Sequence, residues 1–229
     1  TSVIPKELLP INGKPNLQYI LEECIDAGIK EFIFIISKKK SSIKKYFYND
    51  KFYLNLIKKK NDKRIKEEYK KIKKYKKMIK FVYQNKPKGT GDAVFKCKKY
   101  IKSKYFLMLL PDDLIIKKNC SKEMIKLHQL KKSSIIATKQ VEKKSVSRWG
   151  IFATKNKKKN HFEVVDVIEK PTIKQAPSNF AIIGRYILPI TIMSEIKKVK
   201  AGKGGEIHIT DAIKKLINNG EKFYGNIFK

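Results

Sequence analysis

An unbroken apolar run that ends in two acids is the feature that most constrains the fold of this chain. Residues 105–110 read YFLMLL, and Pro111, Asp112 and Asp113 follow directly. Such a run is too short to cross a membrane and lacks the alternation of a half-exposed strand. It therefore predicts a strand that is buried on both faces, as in a parallel α/β sheet. Pro111 has no backbone N–H to donate, so it is expected to end the strand.

The two acids after this strand indicate a candidate site. In open α/β sheets, ligands bind beyond the carboxyl ends of the strands. Carboxylates at that place suit a hard divalent cation such as Mg2+, which prefers oxygen ligands and keeps several waters. A plain strand-end turn is the alternative, because Pro-Asp-Asp is favourable turn sequence. From this stretch alone, Asp112 and Asp113 are either metal ligands or turn residues.

The formal net charge of +33 over 229 residues raises the question of nucleic-acid binding. Only Arg64, Arg148 and Arg185 among the 54 basic residues are arginine, the residue that makes bidentate phosphate and guanine contacts. Lysine is instead spread along the chain, so we expect no specific nucleic-acid partner. Residues 58–80 are the densest lysine segment; they predict a solvated surface helix, with an RNA- or polyanion-binding module as the alternative.

Other features of the composition bear on the compartment. No apolar run approaches the length of a membrane helix, and the start of the sequence does not resemble a signal peptide. Cys24, Cys97 and Cys120 show no CxxC spacing, which is typical of reduced, packed thiols. A cytoplasmic protein without membrane contact is therefore expected. Since the first residue is Thr1, we also expect the natural start to be missing.

The periodicity of the chain predicts alternating helices and strands. An amphipathic helix follows Pro15 and ends at Gly28, and an apolar strand follows at residues 31–37. This is the αβ half of a βαβ unit, but the strand that should precede the helix is not in the sequence. Further strands are predicted at residues 79–84, 134–140, 163–169, 180–188 and 222–227.

Two strand ends outside the acidic stretch carry candidate ligand-binding residues. After Gln84, the glycines Gly89 and Gly91 would let backbone approach a ligand, and the following helix offers free amides to an anion. A flexible turn is the alternative, because the pattern lacks the third glycine of a dinucleotide fingerprint. Glu169 and Lys170 could bind a sugar hydroxyl and a phosphate together, or form an exposed, salt-paired turn.

Eight motifs in this order suggest a family. They are PKELLP (5–10), KP (14–15), Q-x4-GTGDAV (84–94), LPDD (110–113), WG (149–150), VIEKP (167–171), APSNFAIIGRYIL (176–188) and GGEIHITDAI (204–213). Together they resemble the bacterial UTP–glucose-1-phosphate uridylyltransferases, or UDP-glucose pyrophosphorylases, over nearly the whole chain. The last two motifs favour the uridylyl enzymes over the related thymidylyltransferases.

The resemblance implies a fold and a reaction. The fold is a single Rossmann-like nucleotidyltransferase domain over residues 1–229, a three-layer α/β/α arrangement with a mostly parallel mixed sheet. The reaction is transfer of a uridylyl group from UTP to α-D-glucose 1-phosphate, which yields UDP-glucose and pyrophosphate with Mg2+ as cofactor. Catalysis would come from positioning and electrostatics. The resemblance also implies a homo-oligomer.

The resemblance assigns roles to matching residues on the nucleotide side. Lys6 would approach the nucleotide phosphates. Glu7, Gln84 and the backbone of Gly89 would recognise uracil. Asp112 would hold the metal.

On the sugar side, the resemblance assigns Gly150 and Glu169 to the glucose and Lys170 to its phosphate. Lys6, Asp112 and Lys170 would form the catalytic set.

The sequence also departs from the family pattern. The family's N-terminal strand with its GxGTRxxP loop is absent, and so is a second metal-binding aspartate beyond the last predicted strand. We therefore expect residues 1–229 alone to fold poorly and to lack activity, whereas the complete protein should be active. A sister nucleotidyltransferase that uses dTTP or CTP, and a noncatalytic relative, are the alternatives within this fold.

Overall fold

The computed structural model of the chain describes residues 4–115, 118–202 and 205–228. Its helices are α1 (Asn16–Asp26), α2 (Ser41–Tyr48), α3 (Asp50–Lys60), α4 (Lys63–Met78), α5 (Gly89–Lys96), α6 (Cys120–Lys131), α7 (Ile192–Lys198) and α8 (Ile209–Asn218). Its strands are β1 (Pro10–Ile11), β2 (Lys14–Pro15), β3 (Phe32–Ile36), β4 (Ile79–Tyr83), β5 (Tyr105–Leu109), β6 (Ser134–Gln140), β7 (Gly150–Lys155), β8 (His161–Glu169), β9 (Phe180–Pro189) and β10 (Phe223–Ile227). Short 3-10 helices span Lys6–Leu8, Lys38–Lys40, Lys98–Tyr100 and Lys143–Arg148.

The predicted elements are found with small shifts at their ends. The strand predicted at residues 134–140 has the same bounds in β6, and the helix expected after Pro15 is α1. The first glycine of the motif at residues 204–213 lies outside the described residues, as do both chain ends. Among the described helices, none combines the length and the apolar character of a membrane span.

Six strands form the main sheet in the order β5-β9-β6-β10-β8-β7, and β7 also pairs with β9. Four of these six strands run in one direction, whereas β8 and β9 run against them. Because the two reversed strands lie between the others, β6–β10 is the one parallel pairing among the described strands of this sheet. The predicted α/β class and mixed sheet are confirmed, but the hydrogen-bonded pairs are mostly antiparallel.

Helices cover both faces of the main sheet, and β9 shows how. Neighbouring side chains of a strand point to opposite faces. Ile183 and Ile187 pack in one apolar cluster with Met124 of α6. Ile182 and Tyr186 pack in another cluster with residues of α7 and α8. The three-layer arrangement therefore follows from a strand that is apolar on both sides, and every residue of β9 is buried.

A second, two-stranded sheet carries the lysine-rich part of the chain. Strands β3 and β4 pair in parallel, and a separate apolar cluster joins them to α1, α2 and α4. Helix α4 buries only Ile72 and Tyr75 of its 16 residues. The prediction of lysine-rich surface helices in this region is therefore confirmed.

The prediction that the strand at residues 105–110 is buried on both faces is wrong. Every residue of β5 is half-buried, because β5 lies at the edge of the main sheet and pairs only with β9 among the described strands. Strand β3 is likewise mostly half-buried and pairs only with β4 among them. The two apolar strands thus belong to separate sheets, and the strand that the main sheet buries fully is β9.

We predict that Gly225→Ala destabilises the protein. Gly225 is buried in β10 directly opposite Phe162 of β8, and an added Cβ would overlap the Phe162 ring. Overpacking of this kind costs about 1–3 kcal/mol, to be measured as the loss of unfolding free energy in urea.

Gly202→Ala is the matched control, since its added Cβ would meet nothing closer than 3.7 Å. Equal stability of the two variants would contradict the packing of Phe162 over Gly225.

Candidate functional site

Asp112 and Asp113 form an acidic corner just after the end of β5. Asp112 accepts a hydrogen bond from Lys6 Nζ at 2.8 Å, and the two side chains are 50% and 54% exposed. The hydrogen bond to Asp112 raises the pKa of Lys6 and outweighs burial, which lowers it, while the charges of Glu7 and Asp113 raise it further. The Asp113 carboxyl is more enclosed, and burial followed by the charge of Asp112 raises its pKa. Lys6 and Asp112, assigned to one site from the sequence, are therefore in contact.

The turn that carries Lys6 also connects the two sheets. Its next residue, Glu7, is buried and accepts a hydrogen bond from Lys40 Nζ at 2.6 Å. Lys40 follows the carboxyl end of β3. Glu7 Oε2 is buried without a hydrogen-bond partner among the described residues, so this carboxylate has an unused acceptor.

Gln84 follows the carboxyl end of β4, beside the end of β3. Its backbone N–H donates to Ile36 O. Its side-chain Nε2 donates to Gly89 O at 3.1 Å and to Asp92 Oδ2 at 2.7 Å. Because these bonds engage the NH2 group, the side-chain oxygen is the atom of Gln84 that is left to recognise a donor.

The loop from Lys88 to Gly91 is hydrogen-bonded to the segment that precedes α8. Ile207 N–H donates to Lys88 O, and Gly91 N–H donates to Ile207 O. Gly89 has a φ of +91°, and a Cβ there would lie 2.5 Å from Ile207 O. The glycine is thus required both by its backbone conformation and by the close approach of Ile207.

The same segment also contacts Glu169, the last residue of β8. Ile209 N–H donates to the Thr90 hydroxyl at 3.1 Å. Thr210, in the first turn of α8, donates its hydroxyl to Glu169 Oε2 at 3.0 Å. Gly150 lies opposite Glu169 in the β7–β8 pair. A continuous path of contacts therefore joins the Gln84–Gly89 region to the Gly150–Glu169 region.

The pKa of the buried Tyr186 responds to charges from both parts of the candidate site. Burial raises the pKa of this tyrosine most, and the negative charge of Glu169 raises it further. Asp113 and Asp112 act on the same phenol in the same direction.

Lys170 differs from the other candidate residues in its conformation. It is exposed and has a φ of +46°, which is unusual for a residue with a side chain. Its backbone N–H donates to Trp149 O, which fixes the turn after β8 beside Gly150. Backbone strain of this kind is often found at functional sites.

The sequence did not indicate a buried ion pair behind the acidic corner. Arg185 donates from Nη2 to Glu23 Oε2 at 2.8 Å and from Nε to Glu23 Oε1 at 3.2 Å. Arg185 Nη1 donates to Asp113 O at 2.6 Å. An arginine within the apolar run FAIIGRYIL was the available signal, because a buried guanidinium requires a carboxylate partner.

The carboxylate oxygens at the acidic corner suit a hard cation that also binds the phosphate oxygens of a ligand. Among the described residues, no cluster of three or more His, Cys, Asp or Glu side chains is arranged to hold a metal ion. Asp112 nevertheless presents a half-exposed carboxylate whose side-chain partner is Lys6. One or two carboxylates with phosphate oxygens are a usual Mg2+ environment, so the chemistry of Asp112 suits that ion.

Comparisons with known proteins agree on the family. The sequence model of the Nucleotidyl transferase family matches residues 1–229. The UTP–glucose-1-phosphate uridylyltransferase of Bacillus subtilis is 36% identical over 220 residues, 94% of this chain and 74% of that protein. The enzyme of the same name from Mycoplasma pneumoniae is 33% identical over 234 residues, 100% of this chain and 79% of that protein.

A solved structure is similar over the same length. The crystal structure of a UDP-glucose pyrophosphorylase complexed with UDP-glucose superposes with a TM-score of 0.84 at 32% identity. The match covers 99% of this chain and 83% of that one. The fold and the sequence therefore indicate the same group of enzymes.

We predict that Gly89→Ala is much more destabilising than Gly28→Ala. Both glycines have a φ of +91°, but an added Cβ at Gly28 meets nothing within 4 Å, whereas at Gly89 it meets the Ile207 backbone. The backbone strain is common to both variants, so the difference reports the close approach. We expect an additional loss of about 1–3 kcal/mol in urea unfolding.

Equal losses in the two variants would show that Ile207 does not pack against Gly89.

Proposed function

The chain belongs to the nucleotidyl transferase family, and from that premise we propose that it transfers a uridylyl group from UTP to α-D-glucose 1-phosphate. A phosphate oxygen of the sugar phosphate attacks the α-phosphorus of UTP. The bond from that phosphorus to the oxygen bridging to the β-phosphorus breaks, and pyrophosphate leaves. The observation that carries the proposal is the contact path from Gln84 through Ile207 and Thr210 to Glu169. It joins a candidate base site to a candidate sugar site.

On the nucleotide side, we assign the uracil to Glu7, Gln84 and Gly89. The free carboxylate oxygen of Glu7 and the side-chain oxygen of Gln84 are acceptors for a base N–H. The backbone of Gly89 is placed for close approach. Lys6 supplies a positive charge to the phosphates once it leaves Asp112. Acceptors at the base and a cation at the phosphates match the two ends of UTP.

On the sugar side, we assign Gly150 and Glu169 to the glucose and Lys170 to its phosphate. Thr210 fixes one oxygen of Glu169, which leaves the carboxylate oriented for sugar hydroxyls. Lys170 follows directly and carries an exposed ammonium group. Lys6, Asp112 and Lys170 form the proposed catalytic set: the two lysines place positive charge where phosphate oxygens would lie, and Asp112 would hold the cation.

Mg2+ is part of the proposal. Asp112 would hold the ion, which when bound would neutralise phosphate charge at the reacting phosphorus. Lys6 and the cation would then compete for the same carboxylate. The chain's own contribution is to present Asp112 and to bring the two substrates together.

We also propose one domain, a homo-oligomeric state and a cytoplasmic location. The location is supported by Cys24, Cys97 and Cys120, which are free thiols and buried. Burial raises the pKa of Cys97 to about 11, so this thiol stays protonated and unreactive. Free cysteines are typical of a reducing compartment.

We predict that Asp112→Asn lowers turnover by at least about 100-fold in the full-length protein, because it removes the charge that holds the cation. The fold should be retained, since an ion pair as exposed as Lys6–Asp112 contributes little stability. The measurement is UDP-glucose formation with saturating Mg2+, together with the circular dichroism spectrum and Tm.

Asp50→Asn is the control, because it breaks a comparable surface ion pair with Lys76. A near-normal rate in Asp112→Asn would refute the assignment of the metal to Asp112.

We predict that UTP is preferred over CTP. CTP carries an amino group and an unprotonated ring nitrogen where uracil carries a carbonyl and an N–H, so the acceptors of Glu7 and Gln84 would lose their donor. The kcat/KM for CTP should fall by about 100-fold or more. A direct comparison of the three nucleotides with glucose 1-phosphate is the measurement, and a higher kcat/KM with dTTP or CTP would favour a sister enzyme.

A further inference from the structure

The backbone on both sides of Asp112 is held by side chains from other elements. The carbonyl oxygen of Pro111 accepts a hydrogen bond from Asn16 Nδ2 at 2.5 Å. The carbonyl oxygen of Asp113 accepts one from Arg185 Nη1 at 2.6 Å. These bonds flank Asp112, although neither touches its carboxylate. The peptide that carries the candidate metal ligand is therefore fixed at both ends.

Both of these bonds trace back to helix α1. Asn16 is its first residue, and Glu23, which binds Arg185, lies two turns further on the same face. Arg185 is fully buried and Glu23 is 8% exposed, so their pair is isolated from water. Ser121, at the start of α6, also donates its backbone N–H and its hydroxyl to Glu23.

The carboxylate of Asp112 lacks comparable support of its own. Its contact is with Lys6, a flexible side chain that is as exposed as Asp112 itself. Exposed ion pairs of this kind define side-chain position weakly. A fixed peptide limits the positions that the carboxylate can take, which lowers the entropy lost when it binds a cation.

We propose that Asn16 and Arg185 are positioning residues that hold the Pro111–Asp113 peptide so that Asp112 is presented to a divalent cation. This inference rests on the function proposed above. Asn16 acts from the start of α1, and Arg185 acts through its pair with Glu23. Their loss therefore weakens cation binding and the step that depends on it, and leaves binding of the sugar phosphate unchanged.

Two variants separate this role from stability. Asn16→Ala removes one bond at a half-buried position, and Arg185→Lys keeps a positive charge beside Glu23 but removes the second arm to Asp113. Asn179→Ala is the matched control, because Asn179 Nδ2 donates to the carbonyl of Val141, in a different loop. The probe is Mn2+, and its free concentration is followed by electron paramagnetic resonance in titrations of the full-length protein with and without UTP.

The expected result is an increase of about 3- to 10-fold in the Mn2+ dissociation constant for Asn16→Ala, the range that loss of one hydrogen bond gives. The KM for glucose 1-phosphate should stay within about twofold, since that site is not touched. Asn179→Ala should leave Mn2+ binding unchanged. If Arg185→Lys does not fold, Asn16→Ala alone decides the result.

Unchanged Mn2+ binding in Asn16→Ala, with Asp112→Asn abolishing it, would overturn the positioning role and leave the proposed function standing. An equal change in the Mn2+ dissociation constant of Asn179→Ala would also overturn the positioning role. If Asp112→Asn binds Mn2+ normally, the metal assignment in the proposed function fails first, and the positioning role fails with it.

Discussion

The buried pair between Arg185 and Glu23 is the interaction on which the arrangement of this protein depends. It joins a strand that is buried along its whole length to a helix that packs outside the main sheet. Burial by itself would lower the pKa of Arg185, but the hydrogen bonds and charge of Glu23 outweigh it and raise that pKa. Arg185 therefore stays charged, and removal of either partner would leave the other buried without its partner, at a cost of about 3–5 kcal/mol. Arg185 also donates a hydrogen bond to the Asp113 carbonyl, so the same side chain contributes to stability and to the geometry of the acidic corner.

The rest of the site is assembled by short segments between regular elements. The turn that holds Lys6 and Glu7 contacts the ends of two strands that belong to different sheets. The segment from Ile207 to Thr210 contacts the Gly89 loop on one side and Glu169 on the other. Sheets and helices set the positions of these segments, and the segments bring the polar groups together. A change in either segment would therefore alter the relation between the two halves of the site without removing any candidate residue.

Most of the elements could be predicted from the sequence, because periodicity and turn residues are local. The strand at residues 134–140 and the helix after Pro15 are examples. Burial of β5 could not be predicted, since an apolar run does not reveal whether a strand lies at the edge of a sheet. The pairing of strands was also only partly predictable, because the reversed strands β8 and β9 decide it through distant contacts.

The candidate site, too, could be predicted from the sequence only in part. Asp112 and Gln84 could be singled out because each follows a strand, and Glu169 because it is the last residue of one. The contact between Arg185 and Glu23 spans 162 positions, and that of Asn16 with Pro111 spans 95. No local pattern encodes such pairs. The arginine within an apolar run was the one available signal of a buried acid, and it does not identify which acid.

The positions of the acidic residues bear on how the large positive charge of the chain affects the candidate site. With 21 acidic residues against 54 basic ones, the surface carries a positive field. Three of the acids belong to the candidate site: Asp112 and Asp113 follow β5, and Glu169 is the last residue of β8. Both substrates of the proposed reaction are anions, so the surrounding lysines favour their approach, and added salt should weaken this effect. The adjacent carboxylates of Asp112 and Asp113 reduce the positive field locally, which favours the cation that we propose at Asp112.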